Sequence, residues 1–289
     1  MDVGTVEHSR MTGAYDWRGD VGDVWAEEWR RTDRSLAPVN DALVAEAVRI
    51  AGRGAPNILD IGCGAGATSL AMAEALPEAR ITGVDLSESL VAVARERASG
   101  RARLRFEAGD ATRWAPDHDG FDLIVSRHGV MFFEDPIAAF SHFSALLRPG
   151  GGLLFSCFRG RGENEWVRAM RPLLERFAPE TLGTPEPPVG PFAFADPARV
   201  DAILREAGFV ARELAPLDFA FAAGVGVDPV GEALAYFRRI GPTALLLRGL
   251  DGADRDAAIA LLAEIVAAHR SGDRVAFDAA AWIVTGARP

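Results

Sequence analysis

Apolar and polar positions alternate in two rhythms along the middle of this chain. Short apolar runs, "NILDIG", "ARITGVDL", "RLRFEAGD", "FDLIVSRHG" and "GGLLFSCF", read as buried strands. Between them lie segments with helical spacing: "ATSLAMAEAL", "SESLVAVARERA" (with Ser87 as its cap) and "PIAAFSHFSALL". Strands alternating with helices of about ten residues predict a parallel sheet covered on both faces.

Outside residues 55–158 the rhythm changes. Residues 1–54 predict helices: Trp17 to Arg34 mixes acids and arginines with Trp17, Trp25 and Trp29, and a further helix ends at Gly52 and Gly54. Residues 159–289 predict a helical stretch over 163–177, a Pro-rich connector over 179–192 and the helix "DPARVDAILREAG". A strand "FVARELAPLDFAF", helices over 228–270 broken at Gly241-Pro242 and near Gly249, and a last strand "RVAFDAAAWIVTGARP" follow.

Composition narrows the chemistry. None of the 289 residues is a lysine, so all 31 basic residues are arginine. That excludes Schiff-base chemistry and a P-loop lysine. The net charge of -10 argues against a nucleic-acid partner. No apolar run approaches the roughly 18 residues a membrane span needs. Cys63 and Cys157 form no metal or redox pair, and no signal peptide is read at the N-terminus, which together predict a cytoplasmic protein. No histidine pair has metal-ligand spacing, so no metal is expected.

The candidate chemistry gathers at the strand ends. In "LDIGCGAG", Gly62, Gly64 and Gly66 stand between a strand and a helix, where bare backbone allows special angles and close approach of a ligand. Such a turn also occurs without a ligand. Asp60, two residues before the first glycine, repels a pyrophosphate and suits an ammonium, directly or through water. It therefore favours the amino-acid end of S-adenosylmethionine over a dinucleotide. Asp85, with Leu86 beside it, ends the second strand, where an acid can accept both ribose hydroxyls of any adenosine ligand. A helix N-terminal acid facing the dipole is the alternative reading. Asp110 and Ala111 follow the third strand, suited to an adenine. Ser126, Arg127 and His128 follow the fourth.

Taken in order, "LDIGCGAG", "GVDLS", "GDA", "FDLIVS" and "LLRPGGGL" resemble the class I S-adenosylmethionine (SAM)-dependent methyltransferases, over residues 55–158. The likeness is to the small-molecule branch, similar to quinone-biosynthesis and trans-aconitate methyltransferases; "SRHG" stands where base methylases carry "NPPY". The resemblance implies a doubly wound, Rossmann-like, mostly parallel seven-stranded sheet with helices on both faces. It implies N-terminal lid helices over residues 1–54 and a SAM core over 55–158. The rest, 159–289, would complete the sheet and add helical cover insertions at 159–195 and 223–272.

By position it implies SAM contacts from Gly62, Gly64 and Gly66, Asp85 on the ribose, Asp110 and Ala111 on the adenine, and Ser126 through its backbone. The lid helices contribute some of Tyr15, Trp17, Trp25, Trp29 and Arg30, an arginine pairing with the methionine carboxylate. Methyl transfer, which gives S-adenosylhomocysteine (SAH), requires alignment and exclusion of water more than acid–base help. His128 is the first candidate base and Arg127 a candidate for an acceptor carboxylate or phenolate. His128 also fits a solvent-facing or supporting histidine, and Arg127 a residue that braces the loop. Trp166, Met170, Phe177, Phe192, Phe194, Tyr236 and Phe237 predict an apolar cover, hence a small-molecule acceptor with aromatic or aliphatic bulk. The N-terminal aromatics fit either a lid or a homodimer contact. Two competing functions are an NAD(P)-dependent oxidoreductase and a SAM-binding protein without methyltransferase activity.

Overall fold

A computed structural model describes residues 17–289 except 53 and 119. Three helices open it: α1 (Asp20–Glu27), α2 (Trp29–Ser35) and α3 (Ala37–Ala51). Then β1 (Asn57–Ile61), α4 (Ala67–Ala75), β2 (Arg80–Asp85), α5 (Glu88–Arg97), β3 (Leu104–Ala108), β4 (Phe121–Arg127), α6 (Pro136–Leu146) and β5 (Leu147–Phe158) follow the predicted alternation. Helix starts are set by short polar caps: Ser87 accepts from Leu90 N at 3.2 Å and Asp135 from Ala138 N at 2.9 Å.

Past β5 come the short helices α7 (Glu165–Arg168) and α8 (Arg171–Phe177), then α9 (Pro197–Glu206) capped by Asp196. The strand β6 (Val210–Val225) leads into α10 (Pro229–Arg239), α11 (Pro242–Arg248) and α12 (Gly252–Ala268), and the chain ends on β7 (Arg270–Ser271) and β8 (Arg274–Ala287). The breaks between α10, α11 and α12 fall at Gly241-Pro242 and Gly249, as the sequence predicts.

The sheet order is β3-β2-β1-β4-β5-β8-β6. Strands β3 through β5 are parallel, and β8 runs antiparallel to both β5 and β6. Two-residue β7 pairs with β8 as an eighth strand, so the expected count of seven is one short. Strand β5 starts at Leu147, ahead of the expected "GGLLFSCF", and the register jumps from Phe121↔Leu147 to Leu123↔Gly152 across the intervening "RPGG". Strand order reverses between β1 and β4, and the carboxyl ends of both meet at that switch point, where doubly wound sheets bind ligands.

One continuous core runs from α3 and the parallel strands into the cover helices, with Leu43, Ile58, Phe140, Phe155, Phe209 and Phe277 fully buried. Each such side chain contributes about 1.5–3 kcal/mol of burial. A second small cluster, Ala26, Ala65 and Leu90 with Trp25 and Trp29 against it, seats α1 over the glycine loop and α5. Gly22 makes this contact possible: a Cβ there would lie 2.5 Å from Ser87 Oγ and 2.3 Å from Trp17 O.

Candidate functional site

The loop after β1 explains its glycines. Gly62, Gly64 and Gly66 all have positive φ, at 64°, 52° and 82°, a region that glycine enters without a steric penalty. Their surroundings differ. A Cβ on Gly66 would press on Phe106 at 2.8 Å, so this glycine lets β3 and α5 close on the loop; it lies outside the cavity, contrary to expectation. Gly62 would strike Gly129 Cα at 3.1 Å. Gly64 has nothing within 4 Å on that side, and its open face borders the cavity.

Asp85, at the tip of β2, is oriented by two backbone donors: Gly64 N to Oδ2 at 2.8 Å and Ser87 N to Oδ1 at 2.9 Å. Burial raises its pKa, against the pull of those two N–H groups. Each oxygen keeps lone-pair capacity for a ligand. Asp110 folds back on Thr112, Oδ1 accepting from its N at 3.0 Å and Oγ1 at 2.7 Å. That turn brings Ala111 to the cavity wall beside Leu86.

Gly62, Gly64, Asp85, Asp110 and Ala111 border one cavity of about 760 Å³, which continues from the Asp85–Asp110 end to the underside of the cover helices. Trp17 and Trp25 line it from the N-terminal side, their ring centroids 5.3 Å apart, with Trp17 equally close to Phe132. Of the apolar cover predicted from sequence, Trp166, Met170, Tyr236 and Phe237 line the cavity. Phe192 instead stacks behind Trp166 at 5.9 Å, and Phe194 packs on Phe140 and Phe155 in the sheet core. Phe177 sits against Arg176, away from the cavity.

Other expectations need correction. Tyr15 lies outside the described residues. Arg30 is exposed and stacks on the outer face of Trp29 at 4.4 Å, since helix α2 turns it away from the cavity. Asp60 is 1% exposed and sits beneath the loop, with Oδ2 accepting from Ser69 Oγ at 2.6 Å. It does not border the cavity, so a direct ammonium contact is not its place. Burial raises its pKa to about 6, partly offset by Ser69 and Arg127. Ser126 is buried behind the wall and donates to Ile61 O at 2.6 Å, tying β4 to the end of β1.

Arg127 and His128 do line the cavity. Arg127 is already engaged: Nη2 reaches Asp33 Oδ1 at 3.0 Å, and Arg97 pairs with the same carboxylate at 2.9 Å. His128 is 8% exposed, with Nδ1 2.7 Å from Ser156 Oγ on β5. Burial first, then Arg127, lowers its pKa to about 3, so the ring is neutral at physiological pH. A base that weak does not match the expected proton-accepting role.

Sequence reasoning missed Asp33, Thr32 and Ser156, which carry no local motif, and Gly129, visible as the glycine of "SRHG". It also missed the latch between lid and cover. Arg31 grips Glu232 of α10 through Nε at 3.0 Å and Nη2 at 2.9 Å, and Arg34 joins at 3.3 Å. Arg239 pairs with Glu28 at 3.1 Å and also with Glu27. Among the described residues, no cluster of His, Cys, Asp and Glu could hold a metal ion, and no helix is long and apolar enough to cross a membrane.

A doubly wound sheet with a glycine loop, a strand-end acid and a deep cavity at its switch point is the arrangement in which α/β proteins hold nucleotide-like ligands. Residues 58–151 match a family described as methyltransferase domain. Over 158 residues the chain is 31% identical to malonyl-[acyl-carrier protein] O-methyltransferase of Paenibacillus sp. (strain JDR-2), covering 53% of this chain and 55% of that one. Over 224 residues it is 28% identical to demethylmenaquinone methyltransferase of Clavibacter sepedonicus, covering 74% and 91%. Its fold is like that of Haemonchus contortus phosphoethanolamine N-methyltransferase 2, at a TM-score of 0.54 and 18% identity, over 97% of this chain and 61% of that one. Residues 58–151 thus carry a methyltransferase domain, and the chain is similar to methyltransferases of small molecules. It spans about half the length of the first of these relatives.

Proposed function

We propose that this protein transfers the methyl group of SAM to a small molecule with apolar or aromatic bulk, releasing SAH. The observation that carries this reading is the single cavity joining two unlike halves. One half has the bare backbone of Gly64, the oriented carboxylate of Asp85, and Asp110 with Ala111. The other is walled by Met131, Phe158, Trp166, Met170, Tyr236 and Phe237.

The residues fit SAM. The open face of Gly64 leaves room against the backbone where a Cβ would intrude, and Asp85 has acceptor capacity for two hydroxyls. When bound, SAM supplies a methyl group already activated by a sulfonium. The chain's own work is then alignment. The aromatic half holds the acceptor body and excludes water, so that the nucleophile meets the methyl in line. The latch from Arg31 and Arg34 to Glu232 keeps the N-terminal helices closed against the cover.

The test is calorimetric titration with SAM, SAH and NADH, followed by transfer of labelled methyl to a panel of small acids, phenols and enolisable ketones. Micromolar binding of the two adenosyl ligands, with none of NADH and with label in an acceptor, is the expected result. NADH binding without SAM binding would make it an oxidoreductase. SAM binding with no transfer across the panel would leave a binding protein.

A further inference from the structure

A buried polar atom without a partner needs a physical account, and on a cavity wall a ligand can supply the missing partner. His128 Nε2 is such an atom, on a residue that lines the cavity. The backbone turns off β4 at His128 with φ 57°, a left-handed conformation unusual for a residue with a side chain. Ser156 holds it twice: His128 N donates to Ser156 O at 3.2 Å, and Ser156 Oγ lies 2.7 Å from Nδ1. Phe158 packs edge-on against the ring at 4.2 Å.

Those contacts decide where the ring proton sits. Ser156 is fully buried, and among the described residues its hydroxyl has one hydrogen-bond partner, His128 Nδ1. If the hydroxyl donates to Nδ1, one group is left unmet, an N–H at Nε2. If Nδ1–H donates instead, two are left unmet: the hydroxyl proton and the Nε2 lone pair. Each unmet group forfeits a hydrogen bond, so the first arrangement prevails. Nε2 then already carries its proton and takes no other. Protonating Nδ1 as well would bury an imidazolium beside the Arg127 guanidinium.

Beside the ring, the cavity-lining Arg127 is incompletely neutralised. Arg97 and Arg127 share a single carboxylate, Asp33, and Arg127 Nη1 is itself buried without a partner. We infer that His128 is a neutral hydrogen-bond donor to an oxyanion of the acceptor (a phenolate, enolate or carboxylate), and not the base that removes the acceptor's proton. The acceptor reaches the site ionised, having lost its proton to solvent. This rests on the methyl-transfer reading and names the substrate class for it.

The test uses the full chain with SAH bound, so that the cofactor's own carboxylate occupies its site. Long-range proton–nitrogen correlations on histidine-labelled protein, with the His128 signal assigned from His128→Gln, report the tautomer from pH 5.5 to 8. An Nε2–H ring that does not titrate is expected. An Nδ1–H ring, or one that titrates in that range, overturns the inference.

4-Nitrophenol is the second probe, since its phenolate absorbs separately from the phenol. Bound probe should be phenolate, with its ionisation displaced to lower pH. His128→Phe should weaken it roughly tenfold or more, and His128→Gln, which retains an N–H donor, should restore most of that loss. Neutral phenol in the site, or equal losses from Phe and Gln, overturns the inference. The tautomer measurement decides the matter if this phenol does not fit. Failure of SAH to bind at the outset instead overturns the methyltransferase reading.

Discussion

Gly62 and Gly129 pass each other backbone to backbone: a Cβ on Gly62 would lie 3.1 Å from Gly129 Cα, and one on Gly129 would lie 3.2 Å from Gly62 Cα. This contact lets the loop after β1 rest on the turn after β4, which places Asp85 and His128 on one cavity. The two glycines lack side chains for different reasons. Gly62 needs its positive φ, whereas Gly129 sits at φ -90°, open to any residue, and is limited by space alone.

Gly129→Ala therefore tests crowding without backbone strain. Its methyl would meet Ser126 Oγ at 2.8 Å and Ile61 O at 2.9 Å. A loss of about 1–3 kcal/mol in urea unfolding is expected, with weaker SAH binding. Unchanged stability would show that the loop and the turn yield readily.

Asp85→Ala removes the acceptor for Gly64 N and Ser87 N as well as for a ligand. SAH affinity should fall by about 2–3 kcal/mol in calorimetry. Asp85→Asn keeps one acceptor oxygen and should fall less. Equal SAH affinity in all three proteins would remove Asp85 from the ligand.

Two buried groups drive stability in opposite directions with pH. Asp60 has its pKa raised from 3.8 to about 6, so the folded state binds its proton more tightly than the unfolded chain does. Its contribution makes stability fall as pH rises from 4 to 6. His128 has its pKa lowered from 6.5 to about 3, so the unfolded chain takes up the proton first. Its contribution is lost as pH falls through that window. Each amounts to a few kcal/mol in order of magnitude. Melting temperatures across pH 4–7 should therefore fall more steeply on acidification in Asp60→Asn than in the wild type. In His128→Gln they should fall less, or rise. Parallel curves for all three proteins would show that neither carboxyl nor ring titrates as its burial implies.

Glu232→Gln cuts the latch between α2 and α10. The Arg31 hydrogen bond, then that of Arg34, holds the Glu232 pKa below the usual carboxylate range. Because the pair is about a third exposed on the Glu232 side, its loss should cost only about 1 kcal/mol of stability. Release of SAH should nevertheless quicken, read by tryptophan fluorescence in stopped flow through Trp17 and Trp25 at the cavity wall. High salt should reproduce part of this in the wild type and have a smaller effect in the variant, where the Arg239 pairs to Glu27 and Glu28 remain. An unaltered release rate would mean that the N-terminal helices hold without the latch.

The alternating strands and helices of 57–158, the cap at Ser87 and the breaks at Gly241-Pro242 and Gly249 were legible in the sequence, because each depends on residues a few positions apart. So were the three glycines, since a strand-to-helix turn with positive φ admits few other residues, and Asp85, since it closes an apolar run that reads as a strand. The tertiary structure decided the rest. It turned Arg30 outward and Asp60 beneath the loop, because helix phase and strand face are fixed only when the elements pack. It paired Asp33 with Arg127 and Ser156 with His128, partners 94 and 28 positions apart. The sequence of residues 126–129 identifies a histidine at a strand end. Whether that histidine gives or takes a proton depends on a serine from the neighbouring strand, which only the folded sheet brings within hydrogen-bond reach.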